Sequence, residues 1–167
     1  MGSPATSNFV KQQGFADEGA ESCASHFRAL NFQPRIVGSL VVVALLVQSG
    51  PLFLALSAVS WWCALVPRLN PFDAIYNRLL AGKRGRPRLT PAPAPRRFAM
   101  GMAASFMVAI GVSLINGWSV AAWILQGLLV IALSALTFGK FCLGSYIFHV
   151  LRGRAPFANR TLPWARG

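Results

Sequence analysis

The sequence predicts an all-α membrane protein: four transmembrane helices, with a basic cytoplasmic loop between the second and the third. Two observations carry the class and a third orients it. Residues 36–67 and 98–139 are runs of 32 and 42 residues without a charged side chain. Runs that long must be buried in lipid or in other protein. Between them stand Arg68, Arg78, Lys83, Arg84, Arg86, Arg88, Arg96 and Arg97 against a single acid, Asp73. A charged share of 12% excludes an ordinary soluble domain, in which about a quarter of residues are charged. The net charge of +12 does not point to nucleic acid. The basic residues flank the apolar runs and line no single face, and aromatics do not interleave with them outside those runs. The positive-inside rule accounts for the placement.

Residues 1–30 are polar and mixed, with Lys11 and Arg28 against Asp17, Glu18 and Glu21. They show no sustained apolar period, so a flexible tail is expected, with residues 20–30 the one place for a short helix. His26 is expected to be an exposed tail histidine, lacking the partner ligands a metal site needs. No basic segment followed by an apolar one marks a secretory signal, and no apolar run precedes Cys23 as a lipoprotein anchor requires. Cys23, Cys63 and Cys142 are odd in number and widely spaced, neither a disulfide framework nor a zinc pattern. Met1-Gly2 with Thr6 meets the bare myristoylation pattern, which is too permissive to carry weight.

As one helix, the first run would extend about 48 Å, against a hydrocarbon core of roughly 30 Å. Ser49-Gly50-Pro51 falls at its middle. Gly50 can close one helix in the left-handed conformation and Pro51 can open the next. Two short spans are therefore expected, about 33–48 and 51–66; the rival is one tilted, proline-kinked helix. Trp61 and Trp62 come about 10 Å before Arg68 along a helix, at the interface where tryptophan is favoured. Asn70-Pro71-Phe72-Asp73 is a helix start, with Asn70 as cap, Pro71 first and Asp73 in the first turn. Phe72, Ile75, Leu79 and Leu80 then recur at helical spacing, which fits either a helix lying on the membrane surface or a plain loop. Pro87, Pro91, Pro93 and Pro95 make 82–97 an extended segment without a core, either docking a partner or anionic lipid or simply solvated. The whole of 68–96 is expected to be the basic, proline-rich cytoplasmic loop.

The second run divides at Asn116-Gly117-Trp118-Ser119, a turn signature with an interfacial tryptophan. It predicts spans at about 97–115 and 119–139. Arg97 and Lys140 would flank them, as Arg68 flanks the second span. Gly101, Ser105, Ala109 and Ser113 recur at every fourth position and predict a face on which another helix packs closely. Met100, Phe106, Met107 and Leu114 fall off it. Gln126 is expected to hydrogen-bond a neighbouring helix. After Lys140 the apolar stretch 141–151 could extend the fourth helix or bend into the interface. Arg152, Arg154, Arg160 and Arg166 make 152–167 a basic tail. With four spans both termini and the loop share the cytoplasmic side; a three-span version would move only the N-terminus.

Chemistry is thinly represented. Beyond residue 21 the only acid is Asp73, so no paired carboxylates can serve a proton relay or an ion site. No phosphate loop, HExxH pattern or nucleophile with a nearby base occurs. His149 is a weak candidate for ligating a pigment metal, without a second histidine on another span. Cys142 is the candidate thiol, with Lys140 close enough in sequence to favour its thiolate; the plain alternative is a small apolar residue at a helix end. No metal and no cofactor is expected.

Asn31-Phe32-Gln33-Pro34-Arg35, Pro95-Arg96-Arg97-Phe98-Ala99 and Phe141-Cys142-Leu143-Gly144 resemble a family of small bacterial integral membrane proteins, domain of unknown function 4395. The resemblance covers about residues 31–150 and implies four spans arranged as two hairpins. Members often carry a Cys-x-x-Cys pair where this chain has Cys142 and Ser145, so dithiol chemistry, if the family has it, should be absent or changed here. The expected function is a non-catalytic accessory or assembly subunit of a larger inner-membrane complex, of the respiratory or photosynthetic type. Its partners would be other membrane subunits and, through the basic loop and tail, anionic lipid. The alternative is a thiol redox or sulfur-transfer protein using Cys142. A small transporter fits poorly with spans so poor in polar groups.

Overall fold

Ser49-Gly50-Pro51 breaks the first uncharged run into two helices. The computed structural model describes residues 4–15, 26–81 and 88–165. Its helices are α1 (Pro4–Gln12), α2 (Phe32–Val47), α3 (Gly50–Leu65), α4 (Pro71–Tyr76), α5 (Ala94–Ile115), α6 (Ser119–Thr137), α7 (Leu143–Leu151) and α8 (Ala155–Arg160). No strand occurs among the described residues. At the break, Gln48 takes the left-handed conformation expected of Gly50, with φ 50°. The amides of Gln48 and Ser49 return to the carbonyls of Leu45 and Ala44, which satisfies the orphan acceptors of α2. Ser49 then caps α3, its hydroxyl accepting from Leu52 N–H at 3.3 Å, while Pro51 sits where no N–H is needed.

Three helices are long and apolar enough to cross a membrane: His26–Val47, in which α2 continues a turn begun at His26, Ala94–Ile115 and Ser119–Thr137. The chain is thus an all-helical protein of membrane type. The apolar helix α3 is shorter, at 16 residues. It runs antiparallel to α5, its first turn meeting Gly111, its middle Ala104 and its last turn Arg97. The bundle core joins Val41 and Ala44 of α2, Phe53 and Leu56 of α3, Ala104, Met107 and Ile110 of α5, and Leu129 of α6.

The ends of the chain depart from expectation. Residues 4–12 are helical and packed, with Phe9 and Val10 each 1% exposed against Ala29, Leu30, Tyr76 and Cys142. Burying each contributes roughly 1.5–3 kcal/mol, enough to offset the ~1–2 kcal/mol of ordering a residue's backbone. Asn8 Nδ2 donates to the carbonyls of Leu162 and Ala165, tying α1 to the C-terminal segment. His26, expected in water, is buried. The proline-rich segment contributes Leu89, Ala92 and Arg96 to the interior. After α6 the chain does not continue straight. Lys140 is left-handed at φ 52°, Phe141 N–H returns to Ala135 O at 3.1 Å, and α7 folds back against α5. Expectations at Met1, Gly2, Cys23, Lys83, Arg84, Arg86, Pro87 and Arg166 lie outside the described residues.

Candidate functional site

The polar side chains of the helices hold the bundle together. Gln126, 2% exposed, pairs its amide reciprocally with Gln48, Nε2 to Oε1 at 3.1 and 3.3 Å. This is the cross-helix bond the sequence predicts. Ser57 Oγ donates to Ala104 O at 3.1 Å. A Cβ on Gly50 would lie 2.9 Å from Gly111 O, and one on Gly111 would lie 3.0 Å from Gly50 O, so only glycine allows α3 and α5 to approach this closely. Of the predicted packing stripe, Gly101 and Ser113 are buried and Ala109 is half-buried. Ser105 is exposed and returns its hydroxyl to Gly101 O of its own helix at 3.0 Å. The packed face runs instead through Gly101, Ala104, Met107 and Gly111, and Met107 is 1% exposed.

A charged cluster sits where α2, α4 and α5 meet. Its local cause is the helix start read in the sequence: Asn70 Oδ1 accepts from Phe72 N–H at 3.0 Å, with Pro71 first in α4. That cap directs Asn70 Nδ2 to Asp73 Oδ2 and to Gln33 Oε1, both at 3.1 Å. Arg96, 4% exposed, donates to Gln33 Oε1 at 3.4 Å and lies 3.5 Å from Asp73 Oδ1. At that distance Oδ1 attracts by charge without a true hydrogen bond, and Arg96 Nη1 has no acceptor. Burial pushes the Asp73 carboxyl above the usual carboxylate range, against the downward pull of Arg96 and Asn70. Cys63 completes the cluster, its Sγ 3.4 Å from Asn70 Oδ1.

Cys142 and His149 gather around α1. Cys142 N–H donates to Gln12 Oε1 at 2.9 Å, and Ser145 Oγ lies 3.4 Å from Cys142 Sγ. Ser145 thus makes a hydrogen bond at the position of a second thiol, and donates also to Pro95 O at 3.3 Å. Lys140, expected beside the thiol, donates to Thr6 Oγ1 at 3.1 Å and lies 5.5 Å from the Phe27 ring centre. His149, 5% exposed, is held by Gln12 O at 3.1 Å from Nε2 and by the Phe157 ring at 4.8 Å; its Nδ1 has no partner. Among the described residues no three metal-ligating side chains cluster.

The expected interface residues divide by role. Trp61, Trp62, Trp118 and Arg68 are exposed. Trp61 packs on Gly101, and Trp62 Nε1 donates to Leu69 O at 3.3 Å. Arg97 turns inward to donate from Nε to Ala64 O at 2.7 Å, which neutralises the negative end of α3. Sequence alone missed Arg96 and Gln12 as interior groups, since only the helices packed around them remove them from water. It also missed the open groove between α2 and α6, about 400 Å³, lined by Gly38, Ser39, Leu45, Leu133 and Ser134 with Arg35 at its edge.

Of the known protein families, one described as a domain of unknown function matches residues 27–152. No curated protein and no solved structure matches the chain.

Proposed function

The chain belongs to the DUF4395 family of domains of unknown function, and from that premise we propose a non-catalytic accessory or assembly subunit of a larger membrane complex, respiratory or photosynthetic in type. It is a four-span protein of the bacterial inner membrane, folded as two hairpins, with α3 as the short second span. At about 24 Å, α3 crosses by local thinning of the bilayer. Both termini and the 68–96 loop face the cytoplasm. Support comes from the exposed Arg28, Arg35, Arg68, Arg78, Arg88, Arg152, Arg154 and Arg160, set against an opposite end without any charge. That basic end also meets anionic lipid.

The observation that carries the subunit proposal is the groove between α2 and α6. Gln48 pairs with Gln126 and Ser57 with Ala104 O inside the bundle, while this apolar groove with small residues stays open, and small residues are what a partner helix packs on. A Cβ on Gly38 meets nothing within 4 Å, so a photo-reactive side chain there fits without disturbing the fold. Irradiated in native membranes, it should give one discrete protein adduct, and the same probe at Ile124 should give none. Adducts with lipid alone at Gly38 would overturn the proposal. The second reading, thiol redox or sulfur transfer at Cys142, has one observation in its favour, the Ser145 hydroxyl 3.4 Å from Cys142 Sγ, which can donate to a thiolate. Cys142→Ala tests it in the same membranes. An unchanged adduct with slow thiol labelling of the parent chain favours the subunit; rapid labelling with loss of cellular function in Cys142→Ala favours sulfur chemistry.

A further inference from the structure

Between α1, α7 and the first turn of α5 lies a cleft of about 630 Å³ whose lining includes Lys11, Phe148, His149, Arg152, Arg154 and Phe157. The local chain builds it. Gly153, at φ 70°, lets α7 end with Gly153 N–H on Val150 O at 3.0 Å and Arg154 N–H on His149 O at 2.8 Å. This six-residue closure holds two arginines beside the imidazole. The Arg152 guanidinium lies 5.2 Å from the Phe148 ring centre. Because Gln12 O can only accept, His149 Nε2 carries the proton in their 3.1 Å contact. The other ring nitrogen, Nδ1, is buried without a partner. The ends of α1 and α7 contribute about half a negative charge each and the start of α5 about half a positive one. The two arginines outweigh that balance, and the described lining holds no acid.

We propose that this cleft binds a phosphomonoester. Its oxygens accept from Arg152 and Arg154, charge-assisted and in forked geometry. The rest of the ligand is apolar. Phe157 forms part of the wall, and Val150 and Leu151, which follow His149 in α7, are 39% and 72% exposed. The phosphate comes from a lipid headgroup or from solution. The inference deepens the proposal that the basic end meets anionic lipid, and rests on it only for the lipid source.

The test uses the full chain in neutral detergent with fluorescent short-chain phosphatidic acid, followed by anisotropy. Arg152→Gln/Arg154→Gln should weaken binding about tenfold, as expected for losing charge-assisted bonds. Arg78→Gln/Arg160→Gln, which removes equal charge from exposed sites, should change it less than about twofold. Displacement by inorganic phosphate, with the same variant dependence, establishes the phosphate as the recognised group and a soluble source as sufficient. Resistance to phosphate with the variant contrast intact assigns the lipid source. Equal losses in the two double variants, or no saturable binding, overturn the site. Equal losses would leave a diffuse lipid contact, and the subunit proposal with its Gly38 adduct, untouched.

Discussion

Burying Arg96 beside Asp73 takes two charges out of water, and each ion loses several kcal/mol of solvation before its partner is counted. Part of that loss is recovered by Asn70, which donates to Asp73 Oδ2, and by Gln33, whose Oε1 accepts from Arg96. Removing one member is therefore worse than removing both. Arg96→Gln should lower stability by about 3 kcal/mol, since it leaves Asp73 uncompensated, and Asp73→Asn/Arg96→Gln should recover part of the loss. Denaturant titration in detergent measures both, and additive losses would mean that the two side chains are uncoupled. The pH dependence follows from the same burial. With Asp73 raised above its ordinary 3.8, the folded protein holds that proton more readily than the unfolded chain. The resulting stability is complete below 3.8 and is lost as pH rises through the folded value. Melting temperature should fall across that interval in the parent chain and stay level in Asp73→Asn; the opposite slope would contradict the burial argument.

Between elements, the decisive contact is α3 against α5. Gly111→Ala would set a methyl 2.9 Å from the Leu54 side chain and 3.0 Å from Gly50 O. Overpacking of this kind costs about 1–3 kcal/mol. Gly38→Ala, with open space around it, should stay within about 0.5 kcal/mol of the parent or stabilise α2. Ser105→Leu, on an exposed position, should be equally mild. Melting temperatures of the three variants check the order, and a Ser105→Leu loss as large as that of Gly111→Ala would restore the four-residue stripe as the packing face. That stripe was legible in the sequence but drifts in space. Four residues turn a helix by about 400°, so each step moves about 40° off the starting line. Gly101 begins on the contact and Ser105 has already turned away, while Ala104 and Gly111 remain.

For the whole molecule, the described basic side chains settle at one end together with α1, α4, α7 and α8, and the turns at Gln48–Ser49 and Asn116–Trp118 lie at the other. If the basic end is cytoplasmic, a reporter active only in the periplasm should be silent when fused after Arg88 and active at Asn116. Activity after Arg88 would reverse the orientation. The same reporter at the N-terminus distinguishes four spans from three, because only a three-span chain would place it outside.

Local chemistry by itself determined the helical class, the breaks at Ser49-Gly50-Pro51 and Asn116-Gly117, and the Asn70 cap. Each depends on a few adjacent residues: uncharged length, a missing N–H, a side-chain acceptor at a helix start. The cross-helix bond of Gln126 was foreseeable for the same reason, since an amide in an apolar helix must find a partner. Tertiary structure alone decided that Phe9 and Val10 anchor a segment polar enough to look like a tail. It also decided that Arg96 lies inside while Arg97 caps α3, and that His149 faces Gln12. These outcomes depend on what packs from distant parts of the chain, where burial reverses the preference that the same side chain has in water.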